Sequence, residues 1–402
     1  MVEHCKALSV RYRTKPRESW KVVEKLGTLN GGLNAGISKA TCSNSKARGM
    51  TFIEKRFGSK QFQYNIARRE IQILHQICDN MNIATMVDHF LDESLLRAAV
   101  YLEYCNLGSL DNVVFEVASG KHVNERKLWT WFFQISGAIA YCHRGPKPEM
   151  TDDEIFQSGW SRVYHRDIKP ANILLATENG HIVAKLADFG CAVSEDYLAW
   201  GKSESHAKTQ REGTPGYDAP EFPFFSAASD VWQVGISMLC LCTGNMRPRS
   251  KMDPGGQNWD VIQPAGDKYS SEFNSIIKLC LEKDPLQRYT AYRIVQLLDR
   301  GSESVMAKLP TDKLPMEIFD RSDGKAHQTP RFPPGHGNER ARAFHQQMPI
   351  PRNQGQMPPR VPQKHEVPPE HEPHLFPVLG NDAFFGDTRG FDWSHIPKRR
   401  FG

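Results

Sequence analysis

His165-Arg166-Asp167-Ile168-Lys169-Pro170-Ala171-Asn172 and, shortly after it, Asp188-Phe189-Gly190 are the two polar constellations on which the reading of this chain turns. Between them, the apolar stretches Asn172 to Ala176 and His181 to Leu186 flank the dipeptide Asn179-Gly180. Two such stretches around residues that accept a positive φ predict a β-hairpin closed by a tight turn. The hairpin is expected to carry Asp167 and Asp188 at opposite ends of one small rigid device, both facing a common cleft.

Asp167, Asn172 and Asp188 form a recognisable donor set. One carboxylate can orient an attacking hydroxyl and accept its proton, and the other two oxygen donors can hold Mg²⁺ against phosphates. The order of these groups, the offsets of Lys169 and Asn172, and the later Gly213-Thr214-Pro215-Gly216-Tyr217-Asp218-Ala219-Pro220-Glu221 together resemble the eukaryotic protein kinase family, serine/threonine type. The resemblance covers roughly residues 19 to 303. It implies an α+β bilobal fold, with a small β-rich N-lobe over 19–103 and a larger helical C-lobe over 104–303. It also implies ATP and Mg²⁺ as cofactors and transfer of the γ-phosphoryl group to a serine or threonine of a protein substrate. On that resemblance Asp167 is the catalytic carboxylate, Lys169 neutralises the transferring group, Thr214 braces both, and Asn172 and Asp188 ligate the metal. The rival reading is a pseudokinase-type binding scaffold that keeps the fold and has lost transfer.

Within the N-lobe, the alternation from Trp20 to Gly27 predicts a first strand. The nearest fit to the family's phosphate-covering loop uses Gly31, Gly32 and Gly36, with Leu33 where the middle glycine belongs and Ser38 where valine is usual. Extra residues stand around Thr28 to Asn30. Thr51 to Phe57 reads as a strand ending the V-A-I-K pattern at Lys55, and the spacing of Ile66, Ile73, Leu74 and Ile77 predicts one helix over Ser59 to Ile77. Glu70 on that helix is the expected partner of Lys55. Glu54 and Arg56 point away from Lys55 and are expected to be solvated charges. Ile53 replaces the family's small residue against adenine. Val100 to Asn106 reads as a strand running into the interlobe hinge, with Leu102 as gatekeeper and the backbone of Glu103 and Cys105 binding the adenine edge.

In the C-lobe, Leu128, Trp131, Phe132, Ile135, Ile139 and Cys142 recur at helical spacing as a core face. Arg144 to Arg162 is longer than the family's connection and predicts a charged surface loop, with Glu149, Asp152, Asp153 and Glu154 as an alternative contact for a basic substrate. A helix that is apolar nearly all round begins near Ser229, and Asp230 at its start is expected to accept backbone hydrogen bonds from the catalytic loop. Resemblance pairs Arg288 with Glu221. Arg166 beside Asp167 is a candidate for neutralisation by phosphate on the activation segment, with Thr209 the preferred site. Ala171 and the segment after Gly213 support neither an arginine-directed nor a proline-directed preference.

The chain's 402 residues suit one large domain with additional sequence, and a formal charge of +5 gives no argument for a nucleic-acid partner. Nine scattered cysteines lack metal-ligand spacing and read as reduced thiols of an intracellular protein, cytoplasmic or nuclear. Neither a secretory signal nor a membrane span is expected from the sequence. Residues 1–18 form an N-terminal extension. Residues 304–402 hold fifteen of the twenty-six prolines and are expected to be largely disordered, a passive linker or else a docking arm for a partner.

Overall fold

The computed structural model describes residues 12–27, 36–43, 47, 49–200, 213–246, 263–309 and 317–320. Its first part is an antiparallel sheet of β1 (Trp20–Gly27), β2 (Gly36–Cys42), β3 (Thr51–Phe57), β4 (Met86–Asp92) and β5 (Arg97–Glu103) in the order β1-β2-β3-β5-β4. Two helices, α1 (Ser59–Gln63) and α2 (Ile66–Gln76), intervene between β3 and β4. Residues 12–18 lie against this sheet as well. The Arg13 carbonyl accepts from Leu91 N at 2.8 Å, and the Asp88 carboxylate gathers Arg17 N, Glu18 N and Trp20 Nε1 at 2.9 to 3.2 Å.

The single helix expected over Ser59 to Ile77 is two. Asn65 sits in the left-handed region at φ 54, a conformation its short amide tolerates, and the chain changes direction there. The turn leaves Ile66, Ala67, Ile71, Ile73 and Leu74 buried in the core and brings Arg69 and Glu70, also buried, to the inner side.

The larger part is helical: α3 (Leu110–Ala118), α4 (Glu125–Arg144), α5 (Asp152–Ser158), α6 (Glu195–Trp200), α7 (Ala227–Thr243), α8 (Ser271–Cys280) and α9 (Ala291–Met306). Among them run the pairs β6 (Val163–Tyr164) with β9 (Val193–Ser194), and β7 (Ile173–Glu178) with β8 (His181–Leu186). Helix α4 starts on Asn124, whose side chain accepts from Arg126 N at 2.9 Å. Its predicted apolar face is fully buried. Helix α7 is buried from Ser229 to Cys242 without a break, as an apolar sequence on all sides requires. Phe273 of α8 meets Trp129 and Phe132 of α4 ring to ring at 5.8 Å.

Packing continues past the boundary at residue 303 that composition suggested. Helix α9 runs to Met306, and Arg126 Nη2 donates to the carbonyls of Met306 and Leu309 at 2.7 and 3.0 Å. Ile318 is buried, its carbonyl accepts from Asn124 N at 2.9 Å, and Asp320 N donates to the His122 carbonyl at 2.8 Å. Proline content is a property of the whole tail, whereas these anchors depend on a few carbonyls and one apolar side chain. Residues 321–402, and with them most of the Pro-rich segment, lie outside the described residues.

The Glu221–Arg288 pair is formed as a two-pronged bridge, Nη1 to Oε1 at 2.8 Å and Nη2 to Oε2 at 3.0 Å. Ser229 Oγ donates to the same carboxylate at 2.7 Å, and the guanidinium lies over the Trp232 ring. Arg288→Met should leave the half-buried Glu221 without its cation and lower folding stability by about 3 kcal/mol. Urea denaturation tests this as a lower midpoint at unchanged slope.

Candidate active site

The hairpin forms as expected, with Ile173 opposite Leu186, and Asn179 and Gly180 turn it at φ 49 and 79. The expectation that it holds Asp167 and Asp188 at opposite ends is corrected. Ala187 N donates to the Asn172 carbonyl at 2.9 Å, so the strands' free ends emerge side by side. Asp167 and Asn172 precede β7 and Asp188 follows β8, all at the same open end. Antiparallel pairing imposes this, because the tight turn occupies the other end.

The loop before β7 is held from beneath by α7. Asp230, fully buried, accepts from His165 N at 2.9 Å, from Arg166 N at 2.8 Å and from His143 Nε2 at 2.9 Å. One helical turn on, Gln233 takes Ile168 N on its Oε1 at 2.9 Å and donates Nε2 to the Arg166 carbonyl at 3.2 Å. Arg166 itself adopts φ 67, so its conformation depends on these anchors. Its guanidinium donates to the Cys191 carbonyl and stacks 4.8 Å over the Phe225 ring. Thr209, the expected phosphate site, lies outside the described residues.

Asp167 is surrounded by donors. Thr214 Oγ1 reaches its Oδ1 at 2.7 Å, and Lys169 Nζ and Asn172 Nδ2 reach Oδ2 at 3.0 and 3.1 Å. Asn172 Nδ2 also donates to the Asp167 carbonyl at 2.8 Å, and Lys169 Nζ meets Thr214 Oγ1 at 2.5 Å. The structure therefore brings Asp167, Lys169, Asn172 and Thr214 into one cluster. With both carboxylate oxygens fixed, the carboxyl plane cannot rotate freely.

Across the cleft, Lys55 Nζ lies 2.5 Å from Glu70 Oε1 and 2.8 Å from Asp188 Oδ1. Burial of the ammonium works against its charge, but Asp188 and Glu70 outweigh it and raise the Lys55 pKa. The Lys55 charge holds the Asp188 carboxyl down to about 2. Glu70 is raised, because its burial outweighs the pull of Lys55. Gly190 leaves room for the close approach of these groups. A Cβ there would stand 3.2 Å from Asp188 Oδ1 and 3.4 Å from Lys55 Nζ. Arg69 adds a contact the sequence did not signal, donating Nη2 to the Gly190 carbonyl at 2.9 Å and so tying α2 to the turn after Asp188.

Other expectations fare unevenly. Glu54 is not a solvated charge: it is 2% exposed, bound to Arg56 Nε at 2.9 Å and to the Tyr101 hydroxyl at 3.0 Å from the neighbouring strand. Strand alternation does turn both away from Lys55, and Arg56 is exposed as expected, but Glu54 beside it is covered. Gly31 and Gly32 lie outside the described residues, and Gly36 opens β2 at φ 150. At the hinge, Glu103 N donates to the Thr85 carbonyl at 2.9 Å, and Cys105 is buried against Ala176 and Val183 of the hairpin.

Arg144 to Arg162 is not a plain loop, since it contains α5. Thr151 and Glu154 form its capping box, a sequence signal that was legible as T-x-x-E. Asp152 is bridged by Arg144 and Arg162, each at 2.9 Å. Two of the four acids offered as a substrate contact are thus used within the insertion, while Glu149 and Asp153 remain exposed.

The protein kinase domain profile matches residues 20–298, and the chain belongs to that family. The G2-specific protein kinase fin1 of Schizosaccharomyces pombe is 31% identical over 283 residues, covering 64% of this chain and 36% of that protein. A probable serine/threonine-protein kinase of Dictyostelium discoideum is 31% identical over 234 residues, 56% of this chain and 41% of its own length. The mitogen-activated protein kinase kinase mkk2 of Aspergillus fumigatus is 26% identical over 314 residues, 72% of this chain and 56% of its own length. The chain therefore matches between about a third and just over half of each relative's length. A chain from the CAK complex of Chaetomium thermophilum bound to ATP-γ-S shares the fold, with TM-score 0.51 and 21% identity over 69% of this chain and 89% of that one. The bilobal α+β architecture is that of the family.

The depressed Asp188 carboxyl has a pH signature. Its contribution to stability is complete above the unfolded value near 4 and is lost as pH falls toward and through about 2. Urea midpoints of wild type and Asp188→Asn, compared at about pH 6 and about pH 3, should shift in favour of the variant at the lower pH.

Proposed function

We propose that the chain is an ATP-dependent serine/threonine protein kinase that transfers the γ-phosphoryl group to a protein hydroxyl. The observation that carries this reading is the Asp167 carboxylate, held on both oxygens by Thr214, Lys169 and Asn172 at the hairpin end that also bears Asp188. A fixed carboxylate can orient a serine or threonine hydroxyl and take its proton as the oxygen attacks phosphorus. Lys169 is placed to offset charge on the transferring group, and Thr214 keeps the lysine and the aspartate in register. Lys55, oriented by Glu70, is placed for the α- and β-phosphates. The backbone at Glu103 and Cys105 is the edge that adenine would meet, and the glycines Gly31, Gly32 and Gly36 would cover the phosphates.

The donor chemistry suits Mg²⁺. Among the described residues no three histidine, cysteine, aspartate or glutamate side chains cluster as a dedicated metal cage. Mg²⁺ prefers a sparse set of one or two protein oxygens completed by phosphate and water. Asn172 commits its amide nitrogen to Asp167, which leaves its oxygen as the donor on offer. Asp188 binds Lys55 through Oδ1 while its side chain stays 42% exposed. When bound there, Mg²⁺ would draw charge from the phosphate oxygens. The alternative, a pseudokinase scaffold, is disfavoured by the complete set of Lys55, Glu70, Asp167, Asn172 and Asp188.

The substrate side is read from Lys169 and Thr214, and from relatives named as serine/threonine or mitogen-activated protein kinase kinases. A protein partner for the Pro-rich segment belongs to the same proposal. So does an intracellular setting, cytoplasmic or nuclear, argued from nine cysteines scattered through the sequence without metal-ligand spacing. Among the described residues no helix is long and apolar enough to cross a membrane.

Radiolabelled ATP with a serine/threonine peptide library is the test. Wild type should label peptides in Mg²⁺, and Asp167→Asn should reduce turnover by roughly 10² to 10⁴ fold. Asp188→Ala should abolish the Mg²⁺-dependent signal while retaining a cooperative thermal melt. Equal turnover in both variants and wild type would overturn the mechanism.

A further inference from the structure

Lys185 is a buried cation outside the phosphate machinery. It stands in β8, is 3% exposed, and its three ammonium hydrogens have three acceptors. These are the Met81 carbonyl at 2.8 Å, Glu103 Oε1 at 3.0 Å and Glu178 Oε1 at 2.9 Å. The acceptors belong to three separate stretches: the connection between α2 and β4, the hinge, and the end of β7. Glu103 Oε1 is shared with Thr85 N at 2.8 Å, and Glu103 N returns a bond to the Thr85 carbonyl at 2.9 Å. Burial works against the ammonium, yet the Glu103 and Glu178 charges prevail and raise its pKa, so it stays charged at neutral pH.

The surroundings show what this cation spans. The segment after the hinge lies along β7, with Leu107 N on the Leu175 carbonyl at 3.0 Å and Leu175 N on the Gly108 carbonyl at 2.7 Å. The connection before β4 lies along β8, with Ala84 N on the Leu186 carbonyl and Leu186 N on the Asn82 carbonyl, both at 2.8 Å. Both edges of the hairpin are therefore occupied by chain that leads to the hinge. The open end of the same hairpin carries Asn172 and Asp188. Main-chain ladders of this kind can slip, since each step repeats the same bonds. A buried, fully bonded charge cannot slip without leaving partners unpaired.

We propose that Lys185 is a positioning residue for nucleotide binding, fixing the hinge at Glu103 to the hairpin so that the adenine edge and the metal ligands keep one spacing. This rests on the reading of the Glu103 and Cys105 backbone as the adenine contact. Lys185 does not touch the reacting atoms. Its loss weakens the hold on adenine in ground state and transition state alike, which raises KM for ATP and spares kcat.

Two variants test it: Lys185→Met, and Lys185→Met combined with Glu178→Gln, which removes the surplus carboxylate that the single change leaves behind. Hydrogen exchange of the nucleotide-free protein should show faster exchange at amides 104–109 in both, with amides of α7 unchanged. KM for ATP should rise about tenfold with kcat within about twofold, and inhibition by inorganic tripolyphosphate, which lacks adenine, should be unaltered. Unchanged KM in both variants overturns the proposal. So does a uniform rise in exchange with kcat falling at constant KM, the pattern of a residue that only stabilises the fold. Faster hinge exchange in a protein whose wild type uses no ATP would refute the kinase reading and leave the anchoring role of Lys185 standing.

Discussion

The site rests on one buried carboxylate. Asp230 receives two backbone N–H groups from the loop that carries Asp167, and a third hydrogen bond from His143 of α4. Burial alone would raise its pKa, but the His143 bond and the backbone donors outweigh burial and lower it. It also sits in the first turn of α7, where the helix dipole favours negative charge. Helix α7 thereby fixes the loop directly, and α4 braces the carboxylate that does so. With Arg166 at φ 67, a loop without that anchor would relax toward ordinary geometry, and Asp167 would turn with it.

The second constraint is the hairpin that follows. Its paired ends fix Asn172 beside Ala187, so Asn172 and Asp188 share a rigid base and need no distant contact to find one another, whereas Asp167 depends in addition on the Asp230 anchor. Lys55 comes from the other lobe and needs one. It is buried between Glu70 and Asp188, and Arg69 holds the intervening turn to α2. Lys55 is the common cation of two carboxylates, and without it Glu70 and Asp188 would face each other as like charges in a medium that solvates them poorly. The geometry that orients Lys55 is therefore also the geometry that keeps α2 packed inward.

Much of this was legible in the sequence, for physical reasons. Asn179-Gly180 names its turn because few residues adopt positive φ, and the α4 and α7 faces follow from spacing alone. Asp230 was read from its place at the start of an apolar helix, and the Glu221–Arg288 bridge was placed by resemblance. What escaped reading depends on partners distant in the chain. Apolar periodicity runs through Tyr64 and Asn65 and gives no sign of the break between α1 and α2. Glu54 is a charge on a strand until Tyr101 and Arg56 cover it. Gln233, Arg69 and Lys185 carry no local signature, since each acts by reaching a backbone or carboxylate on another element.

The insertion between α4 and β6 shows how magnitudes decide between two readings of the same charges. Arg162 bridges Asp152 at 2.9 Å and stands 3.7 Å from Glu195 at the start of α6, which suggests an ionic strut to the activation segment. These groups are partly exposed, and such pairs contribute about 0 to 1 kcal/mol each in water. The anchoring that holds the insertion is apolar and backbone-directed. Ile155 is buried, Trp160 packs edge to face on Tyr141 at 5.3 Å and donates Nε1 to the Cys142 carbonyl at 3.2 Å. Beyond it, Glu195 N donates to the Arg162 carbonyl at 2.9 Å and Gln76 Nε2 to the Ser161 carbonyl at 2.6 Å. The insertion is thus clamped to α4, to α2 and to α6 by bonds that salt does not screen.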